Sequence, residues 1–412
     1  MSQNMLFLSI LLILATLPQW TAAIPAVRLP NKPHIFSETK NYPLPNLGNI
    51  QVHDPNIVEL DGAFYLFKGG VHVPIHKASS LDGPWQKIGT VLDGPSVIEK
   101  QNRTRPWAPT TVQWKNRFYC FYTISKNGVR NSAIGVASSD SIDQGGWTDH
   151  GAVINTEKGH LADIYPLTVS NAIDASFIAD QSTGKPYLLY GSYWHGIFQI
   201  PLADDLLSVE DEERLNAEHL VFLPEHKVKP QEGSFMTYRE PYYYLWFSHG
   251  KCCDFHKGFP AMGREYSIRV GRSKDVTGPF VDKSGKKLLD GGGTTVYGSN
   301  HGLVYAPGGI GVLPENKDHQ DIMYYHYLNT TIGFHNSDAQ LGWSYIEYID
   351  GWPVARAKAS SAPPRANYTI NLMVLMCMCF LILNLLRKHS SGLKLIASVA
   401  FLVVWVLVWL VR

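Results

Sequence analysis

Three acidic residues stand at corresponding places in a repeated sequence pattern. Asp54, Asp174 and Glu232 each come directly before a short apolar segment, which is followed by an aromatic one. Carboxylates that lie close together separate in pKa, so that one stays ionised while another keeps its proton near neutral pH. Cleavage of a glycosidic bond needs both forms: an acid to protonate the departing oxygen, and a carboxylate to activate water or attack directly. A single acid in such a place is usually a turn residue, so it is the registration of all three that indicates catalysis.

These acids belong to a pattern of five similar units. Each unit opens with a small or acidic residue, continues as a short apolar strand, turns, and returns as an aromatic strand. Turn signals lie between the two strands, as at Asp61-Gly62, Lys115-Asn116 and Thr183-Gly184, because a hairpin needs residues that accept positive φ or provide an Asx side chain. The units begin, at intervals of 54 to 74 residues, at Asp54, Ala108, Asp174, Glu232 and Ala306.

Later segments of the units complete the predicted architecture. The stretch from Ala78 to Trp85, with similar stretches after other hairpins, predicts a third and a fourth strand joined by a loop. Five units of about four strands predict an all-β fold, a five-bladed β-propeller around a central channel. Equivalent unit starts then face one another at one mouth of that channel. A β-sandwich with accidental similarity is the alternative, and Leu207 to Glu218 is the one predicted helix.

The composition excludes several classes of protein. The 412 residues carry a formal net charge of +1, whereas a nucleic-acid-binding protein needs a clustered basic surplus. Aromatic residues make up 12 % and charged residues 17 %, which excludes general disorder. Most of the rings lie on predicted strands and are expected to pack between blades, leaving a minority to stack on sugar.

The N-terminus predicts export. Residues Met5 to Leu17 are apolar and are followed by the small residues Ala22 and Ala23, the pattern of a signal peptide over residues 1–23. No Lys or Arg precedes the apolar run, so an uncleaved anchor is the alternative. A lead-in over residues 24–47 would then connect to the propeller, predicted to span residues 48–355.

The C-terminus carries two further apolar runs after a linker over residues 356–369. Ile370 to Leu386 and Leu395 to Val411 flank a basic stretch, and each has about the minimum length that crosses a bilayer. A membrane hairpin over residues 370–412, with its basic loop in the cytoplasm, agrees with the positive-inside rule. A signal for a glycosylphosphatidylinositol anchor and a gene-model artefact are the alternatives.

The cysteines and sequons carry weaker signals. Cys252 and Cys253 are adjacent, and their α-carbons lie about 3.8 Å apart across a trans peptide, below the usual range for a disulfide, so a bridge between them stays open. Cys120 lies on an aromatic strand and is predicted to be a buried thiol. Asn102, Asn329 and Asn367 stand in sequons, which in a secreted chain are candidate glycosylation sites.

Six short motifs give the sequence a family resemblance. In order and spacing they resemble glycoside hydrolase family 43, in particular the fungal-type endo-1,5-α-L-arabinanases, over about residues 48 to 355. The motifs are His53-Asp54-Pro55, Trp107-Ala108-Pro109, Asn171 to Asp174, Gly191 to Trp194, Glu232 to Phe235 and Gly351 to Ala355.

The resemblance implies an inverting hydrolase acting on internal 1,5-α-L-arabinofuranosidic linkages of arabinan, a pectic polysaccharide. Asp54 would be the general base, Glu232 the general acid, and Asp174 the residue that tunes and orients that acid. Inversion implies a gap of about 6.5–9.5 Å between the carboxyl groups of base and acid. The implied sugar-binding residues are Trp107, Asn171, Ser192, Tyr193 and Trp194.

The chain departs from the family pattern in three places. Thr110 and Ala175 stand where the family commonly has Asp and Pro, which puts subsite details in question. Many relatives hold a structural metal, often calcium, through a His at the start of blade five, where this chain has Ala306. His301 lies nearby as a weak candidate ligand. No cofactor is expected for the chemistry.

Two other functions fit the same fold. One is an exo-acting arabinofuranosidase or xylosidase, which a blocked pocket would favour over an open groove. The other is a non-catalytic, membrane-tethered carbohydrate-binding propeller, against which the retention of all three acids argues. The expected protein is a secreted monomer, with membrane attachment at the cell surface if the C-terminal hairpin is real.

Overall fold

The computed structural model describes residues 42–314 and 320–358. Over these residues the strands form five antiparallel sheets arranged in chain order, so the predicted five-bladed β-propeller is confirmed. Helical backbone in this part of the chain is confined to three 3-10 turns: Phe255–Lys257, Leu288–Asp290 and Asn336–Asp338.

The first strand, β1 (Asn46–Gln51), belongs to the last blade, and the next sixteen strands fill the first four blades in sequence order. Blade one holds β2 (Asn56–Leu60), β3 (Ala63–Phe67), β4 (Pro74–Ala78) and β5 (Gln86–Thr90). Blade two holds β6 (Trp107–Trp114), β7 (Arg117–Ile124), β8 (Ala133–Ser139) and β9 (Thr148–Asn155). Blade three holds β10 (Ser176–Ala179), β11 (Pro186–Tyr190), β12 (Ile197–Pro201) and β13 (Glu218–Val221). Blade four holds β14 (Gln231–Arg239), β15 (Tyr242–His249), β16 (Ser267–Ser273) and β17 (Thr294–Tyr297).

Blade five closes the ring with both ends of the described chain. It holds β18 (Val304–Leu313), β19 (Ile322–Asn329), β20 (Ala339–Ile349) and β21 (Trp352–Arg356). The N-terminal β1 pairs with one stretch of β20, with Asn46 opposite Trp343, and β21 pairs with the rest. The outer edge of this blade is therefore shared by two distant segments, which fastens the first strand of the propeller to the last blade.

Each interface between neighbouring blades holds its own cluster of buried side chains. Strand β7 shows how: Tyr119 and Phe121 face blade three, whereas Cys120 and Tyr122 face blade one. Successive side chains of a strand point to opposite faces, and here both faces are covered. Full burial of one such ring stabilises the fold by about 1.5–3 kcal/mol, so the aromatic excess belongs mainly to blade packing, as predicted.

The hairpin predictions are confirmed by backbone geometry. Asp61 and Gly62 join β2 to β3 with φ of 51° and 75°, and Lys115 and Asn116 join β6 to β7 with φ of 48° and 65°. Positive φ at both central residues matches the twist of the flanking strands.

The predicted helix from Leu207 to Glu218 is wrong. The segment forms turns, and Glu218 begins β13. The Asp211 carboxylate accepts the amides of Glu213 and Arg214 at 2.9 and 3.1 Å, as at a helix N-cap, but only one turn follows, in which the Leu215 amide donates to the Asp211 carbonyl at 3.0 Å. Further on, Leu215 has a left-handed backbone with φ of 58°.

Several predictions concern residues outside the described ranges. The signal peptide, most of the lead-in and linker, and both C-terminal apolar runs lie there. Within residues 42–314 and 320–358, no helix is long and apolar enough to cross a bilayer. The domain limits at 48 and 355 stay predictions; the described strands begin at Asn46 and end at Arg356.

Candidate active site

A cleft of about 850 Å³ covers the channel mouth at which the first strands of the blades begin. Its walls come from all five blades. The three acids and the five sugar-binding residues of the sequence prediction all line it: Asp54, Trp107, Asn171, Asp174, Ser192, Tyr193, Trp194 and Glu232. The ring closure thus brings together residues that are up to 178 positions apart in the sequence.

One backbone feature recurs near the start of the first strand in every blade. A residue there has left-handed φ, which turns the chain at the channel mouth. These residues are Asp54 (50°), Ala108 (37°), Asp174 (58°), Gly233 (56°) and Gly309 (60°). In blade four the left-handed residue is Gly233, which directly follows Glu232. The backbone equivalent of Asp174 is therefore Gly233, and Glu232 lies one residue before it.

A hydrogen bond that recurs in three blades identifies the equivalent positions. In three blades the amide of the left-handed residue donates to a side chain on the second strand of the preceding blade. The bonds run from Asp54 to His326 Nδ1 (3.1 Å), from Asp174 to Thr123 Oγ1 (3.2 Å) and from Gly309 to Ser248 Oγ (3.0 Å). Ala306 also has left-handed φ, 51°, but its amide bonds Ser299 rather than the preceding blade's second strand, so the blade-five counterpart of Asp54 is Gly309, three residues beyond the predicted start.

Asp54 contacts two histidines, His53 and His326. His53 Nδ1 is 2.8 Å from Asp54 Oδ2, and the His53 ring stacks on His326 at 3.9 Å. Burial by itself would raise the pKa of Asp54, but the charge of His53 and the contacts with the His326 and His53 rings outweigh it and hold that pKa well below its usual range. The Asp54 side chain is 29 % exposed, so solvent reaches an ionised carboxylate.

Glu232 lies deeper, at 7 % exposure. The Ser192 hydroxyl donates to its Oε2 at 2.5 Å, and the Tyr266 hydroxyl donates to its Oε1 at 3.0 Å. Burial raises the pKa of Glu232, and the negative charge of Asp54 raises it further, although both hydroxyl bonds lower it. The net direction is upward, which is the direction that a proton-donating carboxyl group needs.

Asp174 is adjacent to this acid in space. Its Oδ2 accepts the Gly233 amide at 3.2 Å, which places it against the backbone that carries Glu232. Burial raises the pKa of Asp174 well above its usual range, and the charges of Glu232 and Asp54 act in the same direction. The cleft therefore holds one carboxylate with a depressed pKa and two carboxyl groups with raised pKa values.

The predicted sugar-binding residues occupy different levels of the cleft. Trp194 is 40 % exposed at the rim. Tyr193 donates its hydroxyl to the Gly250 carbonyl at 3.3 Å, and Asn171 is buried with its Oδ1 accepting the Ser132 hydroxyl at 2.8 Å. The Ser192 hydroxyl donates a hydrogen bond to Glu232. We therefore assign Ser192 to the support of the acid rather than to direct sugar binding.

Two of the three departures from the family pattern, Thr110 and Ala175, contact each other. Thr110 is buried, and its hydroxyl donates to the Ala175 carbonyl at 2.6 Å. This bond joins blade two to blade three, and neither side chain lines the cleft. These two departures therefore alter a junction between blades rather than the sugar-binding surface.

His301 does not lie with the acids: its Nε2 is 2.7 Å from the Tyr42 carbonyl. The histidine that reaches the channel is His326. One ring nitrogen of His326, one of His53 and an oxygen of the Asp54 carboxylate lie close enough together to hold an ion. Calcium takes six to eight oxygen ligands, whereas this group offers one carboxylate and two imidazoles. Both Asp54 oxygens already have imidazole neighbours, at 2.8 and 3.3 Å. These side chains alone therefore do not complete a calcium site, and waters would have to supply most of its ligands.

Sequence reasoning missed Tyr266, His326 and Gly309 as site residues. A signal for His326 was present. In the second strands of blades two, four and five, two aromatic residues are followed by Thr123, Ser248 and His326, the same residues that receive the recurring amide bond. No comparable pattern marks Tyr266, which lies just before β16.

Gly309 is required by the approach of two catalytic-site side chains. A Cβ at this position would lie 2.6 Å from Asp54 Oδ1 and 2.7 Å from His326 Nδ1. We expect Gly309→Ala to displace the Asp54 carboxylate and to lower kcat at least about tenfold, since small misplacements of reacting groups are costly. Steady-state kinetics on a polysaccharide substrate measure this.

Gly62→Ala is the matched control for that substitution. Gly62 has a similar φ of 75° but open space where the Cβ would stand. It should reproduce the cost of left-handed alanine, about 1 kcal/mol of stability, with kcat unchanged. Equal kcat losses in both variants would contradict the steric role of Gly309.

Comparison with known proteins agrees with this geometry. The family model described as Glycosyl hydrolases family 43 matches residues 47–353. A probable arabinan endo-1,5-alpha-L-arabinosidase D of Emericella nidulans is 60 % identical over 349 residues, which cover 84 % of this chain and 91 % of that protein.

Two solved structures share the fold. The GH43 endo-arabinanase from Bacillus licheniformis has a TM-score of 0.62 and 28 % identity, covering 77 % of this chain and 100 % of its own. An exo-1,5-alpha-L-arabinanase from a bovine ruminal metagenomic library has a TM-score of 0.65 and 25 % identity, covering 76 % and 99 %. Similarity of fold therefore does not separate endo from exo cleavage.

Proposed function

The chain belongs to glycosyl hydrolase family 43, and from this premise we propose that it is an endo-1,5-α-L-arabinanase that hydrolyses arabinan with inversion. The observation that carries the proposal is the separation of pKa directions among the carboxyl groups of one cleft: Asp54 is lowered, and Glu232 is raised. Hydrolysis of a glycosidic bond needs an ionised base and a protonated acid at the same pH.

In this mechanism the roles follow from the surroundings of each group. Asp54, ionised and open to solvent, takes a proton from the water that attacks the anomeric carbon. Glu232, buried beside Ser192 and Tyr266, protonates the departing oxygen. Asp174 accepts the Gly233 amide, so it positions the backbone that carries the acid.

The shape of the cleft supports endo cleavage. The cleft runs across the mouth from blade one to blade five, and a second depression of about 510 Å³ adjoins it. The two share Gly128, Val129 and the exposed ring of Trp194. A continuous path past Trp194 accommodates a polymer on one side of the scissile bond, whereas an exo enzyme would have a closed pocket.

Product analysis tests substrate, cleavage mode and stereochemistry together. Linear 1,5-arabinan should give a ladder of oligosaccharides at early times, xylan should give no product, and NMR should show the inverted anomer first. Release of arabinose alone from the first minutes would support the exo alternative. A wild-type enzyme without activity on arabinan would contradict the proposal.

The pH profile should respond to Ser192 in a defined direction. Because kcat/KM requires protonated Glu232, activity falls as pH rises through its raised pKa. The Ser192 hydroxyl lowers that pKa, so Ser192→Ala should raise it further and move the alkaline limb to higher pH. Initial rates across a pH series measure the shift.

Ser170→Ala provides the control for this prediction. Ser170 is equally buried, but it bonds the neutral Tyr190 hydroxyl at 3.0 Å, away from the acids. Its alkaline limb should stay in place. An alkaline limb that moves to lower pH in Ser192→Ala would contradict the assignment of Glu232 as the acid.

We also propose an extracellular location, with the protein acting on arabinan as a monomer. The apolar N-terminal run supports export, and the disulfide between Cys252 and Cys253 suits an oxidising compartment. Mass spectrometry of the native chain ends would decide between a membrane hairpin, a glycosylphosphatidylinositol anchor and a shorter mature protein. The same spectra would report glycosylation at Asn102 and Asn329, and size-exclusion chromatography the oligomeric state.

A further inference from the structure

The segment between β15 and β16 forms a wall along one side of the cleft. It leaves blade four after His249 and reaches blade five, where Phe255 packs against Tyr305 at 5.0 Å and the Asp254 amide donates to Asn336 Oδ1 at 3.0 Å. Its buried contacts continue into a hydrophobic cluster around Phe255 and Tyr305. The segment is therefore fixed to its neighbours at the rim.

A disulfide between adjacent residues lies on the inner side of this segment. Cys252 and Cys253 are bonded to each other, both are partly exposed, and both line the cleft. Cys253 Sγ lies 4.0 Å from Nε2 of His53, the ring whose other nitrogen contacts Asp54. Only the His53 ring therefore separates the disulfide from the proposed base Asp54, and both sulfur-bearing residues line the cleft in which the substrate binds.

A purely structural role explains this bridge poorly. A disulfide stabilises a fold chiefly by closing a loop in the unfolded chain, and the effect grows with the length of that loop. A bridge between neighbours closes the shortest loop, so it contributes least in this way. In addition, the segment is already held by Phe255 and Asp254. The bridge therefore acts through its place in the cleft.

We propose that the Cys252–Cys253 disulfide is a contact surface for the arabinofuranose ring bound between Asp54 and Glu232, and that it holds His53 in place. Disulfide sulfurs are polarisable and only weak hydrogen-bond acceptors, so they suit the C–H face of a furanose rather than its hydroxyls. Against His53 they leave Nε2 without a strong partner, so that the ring's strong hydrogen bond is the one to Asp54. This inference rests on the proposed function and adds a specificity-determining element to its substrate site.

The double variant Cys252→Ala/Cys253→Ala tests the proposal on arabino-oligosaccharides. We expect KM to rise about tenfold, the effect of losing about 50 Å² of apolar contact, together with a smaller fall in kcat from the looser His53 ring. The melting temperature should change little. Cys120→Ala is the matched control: Cys120 is buried between blades and forms no disulfide, so its loss should leave KM unchanged.

Reduction of the wild-type enzyme gives an independent readout that needs no refolded variant. Among the described residues the only disulfide is the Cys252–Cys253 bridge, so reduction with TCEP, verified by alkylation and mass spectrometry of the Cys252–Cys253 peptide, should also raise KM. An unchanged KM in the folded double variant, or in the reduced enzyme, would overturn the inference while leaving the arabinanase assignment intact. Absence of wild-type activity on arabinan would instead count against the function and, with it, the furanose contact.

Discussion

Replacing Glu232 with Gln is expected to lower kcat on linear arabinan by about 10³-fold, the contribution of a well-placed general acid. Gln has the size of the native side chain and can still pair with the Ser192 and Tyr266 hydroxyls, but it has no proton to give to the departing oxygen. The loss should therefore appear in kcat, and circular dichroism and thermal melting should show an intact fold.

The leaving group provides a sharper readout of this role. An aryl arabinoside with an acidic phenol departs without protonation, so Glu232→Gln should retain most of its activity on such a substrate. Glu225→Gln, an exposed glutamate in the segment before β14, is the control and should match wild type on both substrates. Equal losses on arabinan and on the aryl substrate would contradict the assignment of Glu232 as general acid.

Asp54→Asn is expected to be at least as damaging, with kcat lower by about 10⁴-fold, near the upper end for general base catalysis. Asn keeps the shape of the side chain next to His53 but cannot accept the proton of the attacking water. In contrast to the Glu232 variant, the loss should be similar on arabinan and on the aryl substrate, because activation of water is needed for both.

A control and a rescue experiment isolate the base. Asp61→Asn changes an exposed aspartate that also has left-handed φ, 51° against 50° for Asp54, so it should retain full activity and report any backbone effect. Azide needs no deprotonation, and it should partly restore turnover in Asp54→Ala by forming a glycosyl azide of inverted configuration. Wild-type rates in Asp54→Asn, or a retained configuration in the azide product, would refute the mechanism.

Local sequence determines much of this protein. The repeated strand pairs and their turns predict the blades, because alternation of side chains and positive-φ turns are properties of short segments. The register of the repeat predicts Asp54, Asp174 and Glu232 as a group, although in the backbone Glu232 lies one residue before the equivalent position. The helix predicted from Leu207 to Glu218 is wrong because the segment forms only one turn capped by Asp211, which ends where Leu215 takes left-handed φ.

Only the tertiary structure decided what surrounds those acids. His326 contacts Asp54 across 272 positions of the sequence, and Cys253 approaches His53 across 200, because β1 and blade five close the ring and bring distant segments to one mouth. The pKa directions follow from that closure, since burial and neighbouring charges, rather than residue type, separate Asp54 from Glu232. The sequence thus determined the blades and the presence of three acids, while the closed ring decided which acid is ionised, which histidine contacts it and which disulfide faces the substrate.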